Sequence, residues 1–488
     1  MNILNYLIAK LDNNNMRKLG VLFFFLLFTN CSFDNKTGIW DGGDLINKNK
    51  SEKKDISKLN KNKRFKFTCV LVKTKKCEEE NSLSELQYED VFTEDKAFDK
   101  EVISNKAYNF TINKPINNIN TLEEYTNLIN FDYNNNKDIV SKGKKLKTNI
   151  FSKILNYNNM VISHDVKGNI SLYSIEEKEK IWEFNFYKKK FKKYKKKIYL
   201  AIDDNKIFAA DNLGYLYVLD LNTKNIIWAK NFGIPFRSNL KIEKNQIFLA
   251  NQDNTIYSIN KNTGDVIWQY ATSPTKLKTV FKNSIDIDQY NSNLFFLNTS
   301  GELYSINYLS QRINWVINFK KSITGFDEDL FFGQPLVIKN GTVTISASNT
   351  ILNYDSVNGS RYFKLPLSVI LKPLVTNKNI FLLTKSNLLV CLDKKNGKVL
   401  WSKKIKNQFL SKNQIKFSKK MGSFIDMTIA QNEIFILTKN GYLITFDYKD
   451  GSLNYFDKIS KSGFSSRMTF SNGYMYILDN NYRLLKYN

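Results

Sequence analysis

A chain of 488 residues with 42% hydrophobic content, 36 Phe and 26 Tyr has ample apolar material for a packed core, which excludes a wholly disordered chain. Its net charge of +27 invites phosphate binding, yet Lys, Asn, Ile and Phe are abundant along the whole length, as drift towards AT-rich codons produces. The one dense basic run, Tyr187–Lys197 (YKKKFKKYKKK), falls between two repeats and reads as a solvated loop, so no nucleic-acid partner is expected.

From Met16 the sequence MRKLGVLFFFLLFTNCSFDN sets Arg17 and Lys18 before a short apolar block and then Cys31. A charged start followed by such a block is a secretory signal, and the block is about half the ~20 residues that span a bilayer. A cysteine directly after it resembles the bacterial lipoprotein signal, in which the thiol becomes the lipid attachment point after cleavage. Asn30 stands where a small residue is usual, and Phe28 where Leu is usual. The expectation is a signal peptide over residues 1–30, with Met16 as the true start, and Cys31 as the lipidated N-terminus; the alternative is an ordinary secretory peptide with an incidental cysteine.

Residues 31–106 are polar and charged, with NKNKSEKKDISKLNKNKRFK too poor in apolar surface to build a core, and read as a mostly disordered tether. RFKFTCVLVK, Arg64–Lys73, has the makings of one isolated strand, and Cys69 and Cys77 are close enough for a local disulfide in an oxidising compartment. Cys391, in NLLVCLD, reads as a buried strand residue. The chain has a single histidine, His164, at a turn, which removes His-rich zinc sites and makes a Ser-His or Cys-His pair hard to assemble; no catalytic residue and no metal site is expected.

Beyond Pro115 short apolar runs alternate with Asn, Asp and Gly clusters. NQIFLANQDNTIYSINKNTGDVIWQY splits into three strands joined by tight turns, and the same grammar recurs in NKIFAADNLGYLYVLDLNTKNIIW, KNIFLLTKSNLLVCLDKKNGKVLW and NEIFILTKNGYLITFDYKDGSLNY. The units close on Trp182, Trp228, Trp268, Trp315, Phe363, Trp401 and Tyr455, at the roughly 40–50-residue spacing of propeller blades. In each closing phrase the Gly permits the positive φ of a hairpin, and the aromatic plugs the seam to the next blade. A single small sheet cannot bury both faces, so the blades must stack radially. The tail SNGYMYILDNNYRLLKYN holds the start of an eighth blade, which an N-terminal strand within Ala107–Ile116 is expected to complete. The fold expected over residues 107–488 is all-β: an eight-bladed β-propeller of four-stranded antiparallel blades.

The Gly, three residues, Trp phrase resembles the tryptophan-docking repeats of the quinoprotein-like propellers; the Trp-Asp and Gly-His signatures of seven-bladed WD-type propellers are absent. Among quinoprotein-like propellers, the pyrroloquinoline-quinone dehydrogenases hold a quinone and calcium in the axial funnel and stack a vicinal Cys-Cys ring on the quinone. This chain has no adjacent cysteines, so no enzyme activity and no cofactor are expected. A lipidated cysteine with a cofactor-free, eight-bladed propeller is similar instead to the BamB-like lipoproteins of the outer-membrane β-barrel assembly machinery. SGELYSI, Ser300–Ile306, and DEDLFFGQPLV, Asp327–Val337, resemble a hairpin and an acidic loop of that family.

The resemblance implies a scaffold on the periplasmic face of the outer membrane, held there by lipid. Its partners would be the barrel-inserting BamA-type subunit and unfolded outer-membrane proteins. It implies docking through Asp327 and Asp329, with Lys276 and Lys278 in the preceding loop and Arg237 one blade earlier as basic counterparts. The family's preceding loop carries an arginine that this one lacks. The alternatives are a generic periplasmic or cell-surface binding propeller that uses other loops and, less favoured, a relative of the pyrroloquinoline-quinone dehydrogenases.

Overall fold

The computed structural model describes residues 31–33, 40–42 and 100–488, except 105–107, 109, 118–119, 147–153, 192, 275–282, 320–332 and 348. Two compact units are present, Met1–Glu89 and Asp90–Asn488. The described part of the first is an antiparallel pair, Cys31–Phe33 with Trp40–Gly42, in which Cys31 lies opposite Gly42.

The second unit is an eight-bladed propeller of four-stranded antiparallel sheets. Blades 1 to 7 occupy residues 155–185, 198–231, 241–271, 284–318, 337–365, 374–404 and 424–458. In each, the strands run in chain order from the axis outwards, and first strands of successive blades lie side by side around the axis. The second and third strands are the apolar ones: Gln246–Ala250 and Thr255–Asn260 are buried almost throughout, whereas the fourth strand, Val266–Ala271, alternates with solvent. That gradient is the physical basis of the stack, since apolar surface on both faces of the middle strands is covered only by the neighbouring blades.

Blade 8 closes the ring with strands from both ends of the chain. Thr469–Ser471, Tyr474–Leu478 and Arg483–Tyr487 form its inner three strands, and Ile139–Lys145 pairs outside them, Ile139 opposite Tyr487. The closing strand is therefore not within 107–116. Residues 113–132 are drawn across the axis instead, so the chain reaches the edge of blade 8 only at residue 139. Residues 100–104, in the stretch expected to be tether, lie against blade 6. Val102 exchanges backbone hydrogen bonds with Ser402 at 3.1 and 2.9 Å, and the Glu101 carboxylate accepts from the Lys404 N–H.

Turn chemistry repeats with the blades. Between second and third strands, Asp165, Asp211, Asn251, Asn298 and Asp479 each accept the backbone N–H groups two and four residues ahead. Between third and fourth strands, Asp220, Asn260, Asn307, Asp355 and Asp393 accept from two and three residues ahead. Short side-chain acceptors closing Asx turns are the reason these residue types punctuate the sequence.

Candidate functional site

Because adjacent strands are antiparallel, hairpins joining strands one to two and three to four open on one face of the ring. The other hairpins and the blade-to-blade connections open on the opposite face. The two faces offer different chemistry.

On the first face, residues 116–117 and 120–134 form a strap that dips into the axial channel and touches every blade. Thr121 pairs with Asn156 of blade 1, and the Leu122 carbonyl accepts the Ile202 N–H of blade 2 at 2.8 Å. Lys241 of blade 3 donates to Glu123 at 2.7 Å and to the Tyr125 carbonyl at 3.1 Å, and pairs with Asp286 of blade 4 at 3.1 Å. The Asn127 amide donates to Asp286 and to the Ile338 carbonyl of blade 5. Lys372, leading into blade 6, donates to the Thr126 carbonyl and the Asn127 side chain at 2.7 and 2.8 Å. Phe131 and Asn134 donate backbone hydrogen bonds to Ile429 of blade 7 and Gly473 of blade 8. The Arg467 guanidinium lies 5.1 Å from the Tyr125 ring centroid.

Lys241 is buried, which by itself would discharge it, but Asp286 and Glu123 prevail and hold its pKa above the usual lysine value. Between the strap and blades 2 to 5 a cavity of about 960 Å³ remains, rimmed by Asp203, Glu243 and Asp288.

The closing aromatics show what the repeated phrase does. Each residue four positions before them has positive φ: Gly264, Gly359, Gly397 and Gly451, with Lys178, Lys224 and Gln311 in the other three blades. A Cβ on Gly264 would lie 2.7 Å from Trp228, on Gly359 2.9 Å from Trp315, and on Gly451 2.6 Å from Trp401. The glycine of one blade is thus the floor for the indole of the blade before it. The indole nitrogens donate across the same seams: Trp228 to Lys261 at 3.1 Å, Trp315 to Val357 at 3.0 Å and Trp401 to Tyr448 at 3.2 Å. Trp401 and Trp268 are buried, while Trp182, Trp228 and Trp315 are half-buried. Lys261 also binds Asp203 and Asp204 of the preceding blade at 2.6 and 2.9 Å.

Glu302, in the SGELYSI hairpin, is a satisfied internal carboxylate. Burial opposes its charge, but Ser273, Asn298 and Tyr304 all donate to it at 2.7–2.9 Å and bring its pKa below the usual value. His164 ends the strand Met160–His164, and Cys391 is fully buried opposite Trp401.

Of the candidate docking residues, Arg237 lies half-buried in the connection from blade 2 to blade 3, its N–H donating to the Ala250 carbonyl at 3.0 Å. Asp327, Asp329, Lys276 and Lys278 lie outside the described residues, as do Cys69 and Cys77. By connectivity, residues 272–283 and 319–336 are the next two blade-to-blade connections after that of Arg237. The strap residues were not singled out from sequence. The signal was charge alternating with apolar residues in two inner strands: Lys241 and Glu243 in SNLKIE, Asp286 and Asp288 in NSIDID.

The sequence profile of the family described as outer membrane protein assembly factor BamB matches residues 166–403 and 364–488. No curated protein matches the chain. The crystal structure of BamB from Moraxella catarrhalis is similar over 72% of this chain and 99% of its own, at 15% identity and a TM-score of 0.55. A computationally designed protein, Ika8, is similar over 72% and 99% at 11% identity and a TM-score of 0.54. The C-terminal WD40 domain of Sif2 is similar over 72% and 98% at 11% identity and a TM-score of 0.52. At these identities the likeness is one of fold.

Proposed function

The chain belongs to the family of the outer membrane protein assembly factor BamB, and from that premise we propose that it is a non-enzymatic scaffold of outer-membrane β-barrel assembly. It holds the BamA-type barrel-inserting subunit at the face where the blade-to-blade connections open, and is anchored to the periplasmic side of the outer membrane through lipid on Cys31. Family membership carries this reading, and the strap supports its non-enzymatic part. A quinone in this fold sits in the axial funnel, whereas here Tyr125, Thr126 and Asn127 take up the axis and are hydrogen-bonded or packed there by Lys241, Lys372 and Arg467. A quinone at that position would have to displace these contacts.

In chain order Arg237, Lys276–Lys278 and Asp327–Asp329 fall in three successive blade-to-blade segments, which supports reading them as one docking surface. Opposite charges on neighbouring loops orient a partner and speed its capture more than they deepen its affinity. Substituting Lys at both Asp327 and Asp329 is expected to weaken pull-down of the barrel subunit while leaving the thermal transition nearly unchanged, as for charges that face a partner and not the core. Undiminished capture by the double variant would move the docking surface elsewhere. Intact mass of the mature chain tests the anchor separately: a lipid increment, abolished by Cys31→Ser, is the expected result.

A further inference from the structure

The connection from blade 6 to blade 7 is built unlike a solvated loop. Both ends are fixed in the core by Ile405, Phe409 and Met421, all buried. Between them the helix Lys412–Ser418 is preformed: Ser411 accepts the Gln414 N–H, and the Gln414 side chain accepts the Ser411 N–H in return. None of the helix residues is buried. Leu410 is 88% exposed, Ile415 45% and Phe417 42%. Leu410 and Ile415 hold the positions of a hydrophobic staple, which turns them to one side of the helix start, yet nearly all of Leu410 stays in solvent. Such a cluster of large apolar side chains is unusual at a tip held out by its own cap.

Charge points to the occupant. Lys406, Lys412, Lys416, Lys419 and Lys420 surround the apolar tip, all exposed, and no acidic residue occurs from Ile405 to Ile425. Three blades away on the same face, the connection from blade 1 to blade 2 exposes Lys188, Lys189, Lys193 and Lys195 around Tyr194, itself 50% exposed. Two basic tips with apolar or aromatic ends, separated by blades 7, 8 and 1, suit a planar anionic surface better than a peptide in a groove. Lysines around buried apolar side chains are also the composition of elements that lie in a lipid interface.

We propose that residues 405–421 form a wedge that seats this face of the ring on an anionic lipid surface, with the Lys188–Lys195 connection as a second contact. The wedge inserts Leu410, Ile415 and Phe417 among the acyl chains while its lysines pair with phosphate headgroups. This inference does not rest on the scaffold reading or on lipidation of Cys31.

The test uses the chain from residue 32 onward, which lacks the apolar leader and the cysteine and keeps the whole compact unit of residues 90–488. It is expected to float with vesicles of phosphatidylcholine and phosphatidylglycerol, and not with phosphatidylcholine alone. Removing charge in Lys412→Gln with Lys416→Gln should lower partitioning about 25-fold, at about fivefold for each lysine near the surface. Leu410→Asp with Phe417→Ser should abolish flotation while the thermal transition moves little, since Leu410 is 88% exposed and Phe417 gives up one ring contact, to Tyr442 at 6.5 Å. No flotation of the unsubstituted chain, or equal flotation of the Leu410→Asp, Phe417→Ser variant, would overturn the proposal. Retention on heparin without vesicle binding would overturn it too, and would assign the lysines to an acidic macromolecule. The partner pull-down and the lipid mass are read on other variants, so their failure is told apart from failure here.

Discussion

Two glycines with the same backbone angle separate what the repeated phrase needs from what any tight turn needs. Gly233 has φ +73° with nothing within 4 Å of a Cβ, whereas Gly451 has φ +70° with the buried Trp401 ring at 2.6 Å. Gly233→Ala should therefore cost only the left-handed penalty of about 1–2 kcal/mol. Gly451→Ala should add overpacking of about 1–3 kcal/mol, seen as a lower urea midpoint. Lys178, Lys224 and Gln311 adopt the same angle, and the last two sit in the blades after those closed by Trp182 and Trp268, so the glycine is needed only where the ring approaches as closely as Trp401 does to Gly451.

Lys394 gives the residue scale a pH dependence. Burial first, then the charges of Lys339 and Lys395, lower its pKa to about 8, and its ammonium has backbone carbonyls as acceptors in place of a carboxylate, the nearer being Lys339 at 3.1 Å. Between about pH 8 and 10.5 the unfolded chain keeps a proton that the folded chain has released, so this group's contribution to stability rises with pH across that window. Below pH 8 its cost is constant. Lys394→Met should raise Tm at pH 7 and flatten the rise, as thermal scans across the window would record.

Among the elements, the strap converts eight separate sheets into one body by a few buried polar contacts. Asp286 accepts from Lys241, Asn127 and the Ile338 and Ile287 N–H groups, so Asp286→Ala leaves four donors without it. Breaking one partner of a buried ion pair in this way should cost about 3–5 kcal/mol by denaturant unfolding. The triple variant Glu123→Gln, Lys241→Met, Asp286→Asn should recover most of the loss, because no uncompensated charge then remains.

Blade strands were legible because their middle strands alternate or run apolar and their turns are Asn, Asp and Gly. The strap was not. INNINTLEEYTNLINFDYNNN has no helical or strand period and reads as loop, since its burial comes from the channel that seven other blades and a distant terminus create around it. The closing strand was misplaced for a related reason: IVSKGKK is an outer strand with one face on its neighbour and the rest solvated, so its polar half masks it. Near Ala107–Ile116, by contrast, Tyr108, Phe110 and Ile112 supply apolar residues that pack on the core between blades 6 and 7 without pairing as a strand.

At the scale of the molecule, the two faces divide the work proposed for them. One is sealed at the axis by the chain's own strap, with acids at the mouth of the remaining cavity. The other carries every blade-to-blade connection. Those from blade 2 to blade 5 hold the candidate docking loops, and those beside blades 6, 7 and 1 hold the exposed basic tips. A partner embedded in a membrane and the membrane itself can therefore engage one face along different arcs. The rigid ring fixes the angle between them, which no flexible tether could do.

Ring closure also sets an order of events in time. Ile139–Lys145 precedes its pairing strand, Arg483–Tyr487, by more than 300 residues of chain, since 483 − 145 is 338. Wherever the chain folds, blade 8 cannot close until the whole intervening stretch has followed. Throughout that interval the blades already formed stack as an open arc with an unpaired outer strand at one end. The strap, whose contacts reach from Thr121 on blade 1 to Asn134 on blade 8, has only part of its channel to lie in. The nascent chain is thus committed to waiting: whatever guards its free edge during that delay matters as much to its yield as any contact in the finished ring.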